Sequence, residues 1–369
     1  MGTDRNLLDE RYRALPDDER VRLDDAVASL VEAKKRRQRV VAVITGEVHL
    51  SRGITLLVAD LMRKGIVDAV LTTAVIIDHE MSGVLEKVKR IEKPPAGLHR
   101  EGGSADGVMN VALLSPRMIE RFRDEMDIDV SSYRAMLGAP GTITVEPAGG
   151  GTWPGGKRTA LLSGFVLSQS RHCRIPFEEM AGYGADPGTM IGAGARAGLP
   201  VLVPPSCLDD DGGAVGLAIR ESLSPSERSG RVAEIMNRAH LIITSTDGPG
   251  CTFPAGFTQG GPWGGGEAPP ECSGRRTIVL IDGPLHDVPP TPGDHRAGEP
   301  ESLIITGGLD TSWSLLAFRA AEALGITLDF VPCARGRDEG ERLREWIAAR
   351  IEPADKGMIE RAAQKLIEK

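Results

Sequence analysis

The segment between residues 39 and 73 decides the fold class. It opens with RVVAVIT (Arg39–Thr45), continues through ITLLVADLMRKG (Ile54–Gly65) and closes with VDAVLTT (Val67–Thr73). Continuous β-branched runs are typical of strands buried on both faces, and the middle run predicts a helix that ends at its glycine. A strand, a helix and a second strand within about 35 residues predict a parallel βαβ crossover.

Further strands follow in the same rhythm, with helical stretches such as WSLLAFRAAEALG between them. These later strands are predicted at 240–244, 277–281, 302–306 and 327–331. Because strands that alternate with helices form open parallel sheets, we expect an α/β fold. Its sheet is expected to be doubly wound and mostly parallel, with helices on both faces.

Three regions are expected along the chain. They are a helical N-terminal extension, an α/β catalytic domain and a C-terminal helix, at residues 1–38, 39–352 and 353–369. Two Gly- and Pro-rich stretches, 138–158 and 247–274, predict loops, and the second is either a disordered surface loop or an active-site lid. Further helices are predicted at 113–126, with Ser115 as the N-cap, and at 340–351.

The composition excludes several classes of protein. The 369 residues include 44 Lys+Arg and 52 Asp+Glu, a formal net charge of −8, and only 4% are aromatic. An acidic chain with few stacking groups argues against a nucleic-acid partner. No apolar run approaches the roughly 20 residues of a membrane span. Five scattered cysteines without a CxxC pair and dispersed histidines predict a cytoplasmic protein without a metal site.

Small polar residues stand where the predicted strands end. The carboxyl ends of parallel strands meet at one edge, which is where open α/β sheets bind ligands. Small residues let a backbone approach phosphates closely, and carboxylates accept hydrogen bonds from ribose hydroxyls. The glycine-rich GxGxxG fingerprint is absent after the first strand, so a dinucleotide needs a different cradle. The candidate cofactor-binding residues are Thr45, Gly46, Thr72, Thr73, Ala74, Ser245, Thr246, Gly308 and Asp310.

Titratable residues also follow the strand ends. The carboxylates exceed what a ribose needs, which indicates a cationic substrate. Candidates for binding that substrate are Asp78, Glu80, Asp210 and Asp247. Candidates for catalytic proton transfer or substrate gripping are His49, His79, Asp211 and Asp282. The alternative for each acid is a helix-capping role, and for each histidine a structural one.

Several of these stretches resemble deoxyhypusine synthases. GIVDAVLTTAVIIDHEM resembles their VD-VLVTTAGG-EED stretch, and GTMIGAGARAGLPVLVPPSCLDDDGG and ITGGLDTSWSLLAFRAAEAL resemble later motifs in the same order. The order is also similar to that of the archaeal-type NAD-dependent ornithine cyclodeaminase domain. The resemblance implies a Rossmann-like fold, NAD as cofactor, oxidation of a small amine or amino acid to an imine, and a homo-oligomer, expected to be a tetramer.

The chain departs from the deoxyhypusine synthase pattern at two places. The WGK lysine is missing, and no lysine occurs between Lys157 and Lys356. Ser245, Thr246 and Asp247 replace the glycine triplet. Three hypotheses remain open. The chain is an amine-oxidising enzyme with deamination or cyclisation, a lysine-free aminoalkyl transferase of the homospermidine or deoxyhypusine type, or a non-catalytic nucleotide-binding homologue.

Overall fold

The computed structural model covers most of the chain. It describes residues 5–46, 48–83, 88–92, 108–114, 121, 124–126, 144–147, 154–208, 213–246, 277–281, 301–306, 308–332, 342 and 350–368. The described strands are β1 (Arg39–Thr45), β2 (Ala69–Leu71), β3 (Val88–Glu92), β4 (Val108–Leu114), β5 (Thr144–Pro147), β6 (Val201–Leu202), β7 (Ala239–Thr246), β8 (Thr277–Ile281) and β9 (Glu301–Ile305).

Helices separate most of these strands. They are α1 (Arg5–Ala14), α2 (Asp17–Lys35), α3 (Val48–Ser51), α4 (Ile54–Arg63), α5 (Ala74–Ser82), α6 (Pro154–Cys173), α7 (Phe177–Gly184), α8 (Met190–Ala197), α9 (Gly213–Ser222), α10 (Pro225–Asn237), α11 (Leu309–Ala323) and α12 (Lys356–Ile367). Among the described helices, none is both long and apolar enough to cross a membrane.

The main sheet has the order β6-β2-β1-β7-β8-β9, and every neighbouring pair is parallel. The chain starts at the centre with β1 and moves outward through β2 and β6. It then returns to the other side of β1 with β7 and moves outward again. The strand order therefore reverses between β1 and β7, which is the topological switch point of a doubly wound sheet.

Side chains of β1 alternate between two hydrophobic clusters. Val40, Ala42 and Ile44 belong to the main core, to which α2, α4, α5, α8 and α11 contribute. Val41 and Val43 face a second cluster that contains residues of α10. Because successive strand residues point to opposite faces, the two clusters lie on the two faces of the sheet. The predicted α/β fold with helices on both faces is confirmed.

The N-terminal helices pack against the end of the main sheet and are helical as predicted. Leu23 and Leu30 of α2 are buried in the main core. The Glu19 carboxylate accepts a hydrogen bond from the backbone N–H of Thr306 at 3.1 Å and another from its hydroxyl. Arg11 donates to the hydroxyl of Thr311 at 2.7 Å. These contacts tie the extension to the region between β9 and α11.

Two predicted local structures are wrong. Residues 327–331 are not a strand, because the buried Asp60 carboxylate accepts the backbone N–H groups of Asp329 and Phe330, at 2.6 and 3.2 Å. The stretch 138–158 contains β5 and the first turn of α6. β5 joins β3 and β4 in a separate antiparallel sheet.

Other expectations fall wholly or partly on residues that are not described. Leu113 and Leu114, expected to begin a helix, are the last residues of β4. Its expected N-cap Ser115 lies outside the described residues, as do most of 340–351 and the whole of 247–274.

Candidate functional site

The strand register brings several polar residues to the switch point. Thr45, the last residue of β1, pairs with Thr246 of β7, and Ile44 pairs with Ser245. On the other side, Val43 pairs with Leu71, so the next residues of the β2 segment reach the level of Thr45. Parallel neighbours are about 4.8 Å apart. The carboxyl ends of β2, β1 and β7 therefore form one continuous polar edge.

Three hydroxyls at this edge are buried without a partner. Thr45 and Thr72 are fully buried, and Thr73 is 1% exposed. Among the described residues, none provides a hydrogen-bond partner for their Oγ1 atoms. A buried polar group without a hydrogen bond costs free energy of about 1–3 kcal/mol. Three such groups at one sheet edge are therefore well suited to donate to, or accept from, a bound ligand.

Thr73 is the clearest example of a buried hydroxyl that lacks a hydrogen-bond partner in the described part of the chain. It is the N-cap residue of α5, a position where a threonine hydroxyl usually accepts a hydrogen bond from the first turn. Here the side chain makes no capping hydrogen bond. The first N–H groups of α5 lack intrahelical partners, and a helix N-terminus favours anions. The hydroxyl and the N-terminus of α5 together can bind a phosphate group. Ala74, the buried first residue of α5, lets its backbone approach such a group.

A chain of hydrogen bonds crosses the switch point. The Trp313 indole Nε1–H donates to the Ser245 Oγ at 2.9 Å, and Ser245 Oγ lies 2.6 Å from His49 Nε2. His49 Nδ1 lies 3.2 Å from the carbonyl oxygen of Gly46. An indole can only donate, and a carbonyl can only accept. The serine hydroxyl therefore donates to Nε2, and the proton of a neutral imidazole sits on Nδ1.

These hydrogen bonds bear on the role predicted for His49. The residue is fully buried, and both ring nitrogens have partners within the protein. In this structure it anchors Ser245 and Gly46, and its catalytic role stays a prediction. Gly46 has φ +94°, a backbone conformation that other residues rarely adopt. His49 thus stabilises the sharp turn that follows β1.

Charged residues flank the other end of the site. Gly308 is the N-cap of α11 with φ +90°, and Asp310 lies in the first turn. The Asp310 carboxylate accepts a hydrogen bond from Arg52 at 3.0 Å and lies 3.7 Å from Arg11. Two guanidinium groups therefore neutralise this acid. The proposed contact of Asp310 with a ribose would compete with Arg52.

The acids and the histidine that follow Ala74 lie along a helix and not at the sheet edge. At 1.5 Å per residue, Asp78 is about 6 Å along α5 and Glu80 about 9 Å along it. Glu80 is fully buried, and its two oxygens accept the N–H groups of Met190 and Ile191 at 2.8 and 2.9 Å. Contrary to the predicted substrate-binding role, Glu80 caps the N-terminus of α8. Burial raises the pKa of the Glu80 carboxyl to about 7, although these two hydrogen bonds lower it.

Asp78 and His79 remain partly exposed on α5. Burial raises the pKa of the Asp78 carboxyl, and the neighbouring His79 lowers it by a smaller amount. A carboxylate with a raised pKa accepts protons more readily near neutral pH. Four further predicted acids lie outside the described residues and stay predictions, namely Asp210, Asp211, Asp247 and Asp282. The backbone of Thr246 belongs to β7, but its side chain is not described.

Two residues of the site were missed from the sequence. Trp313 donates to Ser245 across 68 positions of chain, and Arg52 reaches Asp310 across 258. No local pattern could reveal such long-range pairs. The one available signal was that Trp313 directly follows the GGLDTS stretch at a strand end, where its indole could approach the site.

Comparisons with known proteins find fold similarity at low identity. No protein-family model and no curated protein sequence matches the chain. The solved structures found include ArgZ, an arginine dihydrolase of cyanobacteria (13% identity, 84% of this chain, 32% of that one, TM-score 0.42), and AgrE with ornithine and NAD+ (13%, 87%, 34%, TM-score 0.41). A candidate deoxyhypusine synthase from Entamoeba histolytica is also found (12%, 86%, 92%, TM-score 0.41). The chain spans about a third of the length of ArgZ and AgrE.

Proposed function

We propose that the protein is an NAD-dependent enzyme that oxidises a small amine or amino acid to an imine, followed by deamination or cyclisation. The observation that supports the cofactor is the group of three buried hydroxyls without partners at the switch point, those of Thr45, Thr72 and Thr73. The resemblance of GIVDAVLTTAVIIDHEM to deoxyhypusine synthases supports the amine substrate.

The residues present fit a dinucleotide. The hydroxyls of Thr45 and Thr72 can hydrogen bond to ribose or phosphate oxygens, and Thr73 with the N-terminus of α5 can bind the diphosphate. The hydrogen bonds of His49 with Ser245 and Gly46 hold the ends of β1 and β7 at a fixed separation. When bound, NAD supplies the hydride acceptor.

The substrate side needs a proton acceptor and an anionic contact for the ammonium. When a primary ammonium becomes an iminium ion, the protonated imine, one proton leaves the nitrogen and a hydride leaves the adjacent carbon. We propose His79, Asp211 or Asp282 as the proton acceptor, and Asp78, Asp210 and Asp247 as contacts to the cation. A charged hydrogen bond of this kind is worth about 1.5–3 kcal/mol. We further propose that the protein is a homotetramer, which the mass from light scattering will test.

The cofactor site is tested by replacing two hydroxyls. Thr72→Val with Thr73→Val keeps the side-chain shape but removes two hydrogen-bonding groups. We expect the Kd for NAD to rise at least tenfold, because each lost hydrogen bond costs about 1 kcal/mol. Calorimetric titration of NAD into the two proteins measures the change.

The control is Thr159→Val, a buried threonine of α6. This position lies toward the C-terminal end of α5 and not at its N-terminus. Its neighbour Arg158 donates to the carbonyl of Ala354, and the N–H of Ala354 donates to the carbonyl of Met81 near the end of α5. This variant should bind NAD as tightly as the wild type. If the double variant folds and its NAD affinity is unchanged, the cofactor site is not at this edge.

The substrate side is tested with Asp211→Asn and Asp282→Asn. Each change removes a negative charge but keeps a hydrogen-bonding side chain. We expect turnover of a primary amine to fall at least tenfold, with a much smaller change in NAD affinity. A panel of amines and amino acids is screened by the absorbance of reduced nicotinamide. If both variants turn over amines like the wild type, neither acid accepts the substrate proton or contacts the substrate cation.

One observation favours a second candidate, a non-catalytic nucleotide-binding protein. His49, the histidine closest to the switch point in the chain, is fully buried and has both ring nitrogens engaged within the fold, so it does not contact a substrate directly in this arrangement. Under this alternative NAD binds, Thr72→Val with Thr73→Val weakens it, and no amine in the panel reduces it. Reduction of bound NAD by any amine excludes the alternative.

A further inference from the structure

A second pocket lies beside β6 at the edge of the main sheet. It is a cavity of about 270 Å³ that reaches the first residues of β1, β6 and β7, and it is bordered by α7, α8 and α10. Arg39, which lines it, lies about 20 Å from Thr45 along β1, whereas Leu202, which also lines it, accepts the backbone N–H of Thr72 at 3.0 Å. Sites for drug-sized ligands have about 300–1,000 Å³. The cavity therefore suits a molecule as small as an amino acid.

Glu178, which lines this cavity, has one buried carboxylate oxygen without a partner among the described residues. Glu178 is fully buried, and its Oε1 accepts hydrogen bonds from Arg228 at 2.5 Å and from the N–H of Val203 at 2.9 Å. Its Oε2 has no hydrogen-bond partner among the described residues. An anionic oxygen buried in this way is costly unless a donor reaches it. A ligand in the cavity can provide that donor.

The surrounding groups favour a cation at the inner end of the cavity. Glu179 is the next residue of α7 and also lines it. Burial raises the pKa of the Glu179 carboxyl, while the nearby Arg231 lowers it. Two helices, α8 and α10, end at the cavity with Gly198 and Arg238 as their C-caps. The carbonyl ends of helices carry partial negative charge and attract cations.

The outer end has the opposite charge. Arg39 and Arg231 line the cavity and are exposed to solvent. Arg238 is also exposed, but Glu234 forms an ion pair with it at 2.9 Å. Arg39 and Arg231 therefore provide two guanidinium groups that can bind a carboxylate in a bidentate manner. An acidic interior with a basic rim matches a molecule with an ammonium at one end and a carboxylate at the other.

We propose that this cavity, defined by Glu178, Glu179, Arg39 and Arg231, binds a small amino acid that carries an ammonium group at the end of its side chain. The ammonium contacts the unpartnered oxygen of Glu178 and the carboxylate of Glu179. The carboxylate of the ligand contacts Arg39 and Arg231. The Leu202 carbonyl joins the cavity lining to Thr72 of the switch point, so a ligand here can regulate or stabilise the cofactor site.

The test uses the full chain with isotope-labelled isoleucine methyl groups. Ile191 and Ile235 line the cavity, whereas Ile44 lies near the switch-point end of β1. L-Ornithine is titrated to millimolar concentration, without NAD, and the methyl signals are followed by NMR. We expect saturable shifts of Ile191 and Ile235 and none of Ile44. Putrescine, which lacks the carboxylate, and valerate, which lacks both ammonium groups, should each bind at least tenfold more weakly.

Substitutions that remove single charges test which residues contact the ligand. Glu179→Gln and Arg231→Gln should each weaken ornithine binding about tenfold, because each removes one charged contact. The matched control Glu360→Gln, an exposed acid of α12, should bind ornithine like the wild type. Thermal unfolding checks that each variant is folded.

Three results would overturn the proposal. They are the absence of shifts at Ile191 and Ile235, shifts at Ile44 alone, and equal binding of putrescine and ornithine. The proposal does not depend on the cofactor. A protein that binds ornithine in the cavity but never binds NAD contradicts the proposed function and leaves the cavity site standing.

Discussion

Two groups of buried polar side chains lie beside the main sheet and differ in how they are satisfied. Beside the end of β6, the fully enclosed Arg228 donates to Glu178 and to the carbonyls of Val203 and Ile219, at 2.5, 3.0 and 2.7 Å. At the carboxyl edge, the threonine hydroxyls at the switch point have no partner among the described residues. One group is charged and joined to several elements, and the other is uncharged and open to a ligand.

The difference follows from the cost of burial. A buried ion without a partner destabilises a protein by several kcal/mol, so the charges must be satisfied by the fold itself. An unpaired hydroxyl costs about 1–3 kcal/mol, which a domain of this size can tolerate. Neutral hydroxyls can therefore be left for a ligand, while Arg228 fastens α7, α9, α10 and β6 together. Glu178 combines both roles, since one of its oxygens faces the second cavity's ligand in our proposal.

The largest effect on stability is expected at the buried pair of Arg228 and Glu178. Arg228→Met leaves the Glu178 carboxylate buried without its cation, so the free energy of unfolding should fall by about 3–5 kcal/mol. Urea denaturation measures it. Adding Glu178→Gln removes the unpaired charge and should restore part of the loss. Arg238→Met, which breaks an exposed pair with Glu234, should cost less than about 1 kcal/mol. Equal losses for the two arginines would contradict this comparison.

A second buried acid makes stability depend on pH. Burial raises the pKa of Glu80 to about 7 from the ordinary value of 4.5. A carboxyl with a raised folded-state pKa stabilises the fold below pH 4.5, and this contribution is lost as pH rises through about 7. The shift corresponds to about 3 kcal/mol. Urea unfolding at several pH values should show that loss.

Glu80→Gln is the variant that isolates the effect. The amide keeps one oxygen acceptor for the N-terminus of α8 and does not ionise. We expect it to be less stable than the wild type near pH 5 by about 1 kcal/mol, and to lose less stability as pH rises from 5 to 7. Parallel pH profiles for the two proteins would show that Glu80 is not the titrating group.

A smaller effect is expected when the hydrogen-bond chain at the switch point is cut. Ser245→Ala leaves the indole N–H of Trp313 and Nε2 of His49 without their partner. The free energy of unfolding should fall by about 2 kcal/mol, as for two unsatisfied buried groups after relaxation. Ser168→Ala, at an exposed position of α6, should change it by less than about 0.5 kcal/mol. A loss for Ser245→Ala as small as that of the control would mean that the chain does not stabilise the fold.

The main sheet was predictable from sequence because its strands are local patterns. The β-branched runs of β1 and β8 were placed to the residue, and β7 and β9 within one or two positions. The same pattern failed at residues 327–331, where the buried Asp60 satisfies the backbone N–H groups in place of a neighbouring strand. Strand composition alone does not show whether a sheet partner is available.

The candidate site was only partly predictable, for a related reason. Thr72 and Thr73 were found because strand β2 stops just before them. Asp78 and Glu80 were expected beside them, but α5 begins at Ala74 and carries both acids away from the edge. The partner of Glu80 is 110 positions away, at Met190. Neither the helix start nor this long-range contact has a signature in the local sequence.

The smallest effect is expected at the hydroxyl group, and its sign is opposite to the others. Thr45→Val replaces a fully buried hydroxyl that has no partner with a methyl group of similar size. Without ligand, we expect the free energy of unfolding to rise by up to about 1 kcal/mol, because an unsatisfied polar group is removed. With saturating NAD, the wild type should become the more stable of the two proteins, because only its hydroxyl can hydrogen bond to the cofactor. Thermal unfolding with and without NAD measures both differences. Destabilisation of the ligand-free variant would show that the Thr45 hydroxyl already serves the fold, and that both groups of buried polar side chains are satisfied within the protein.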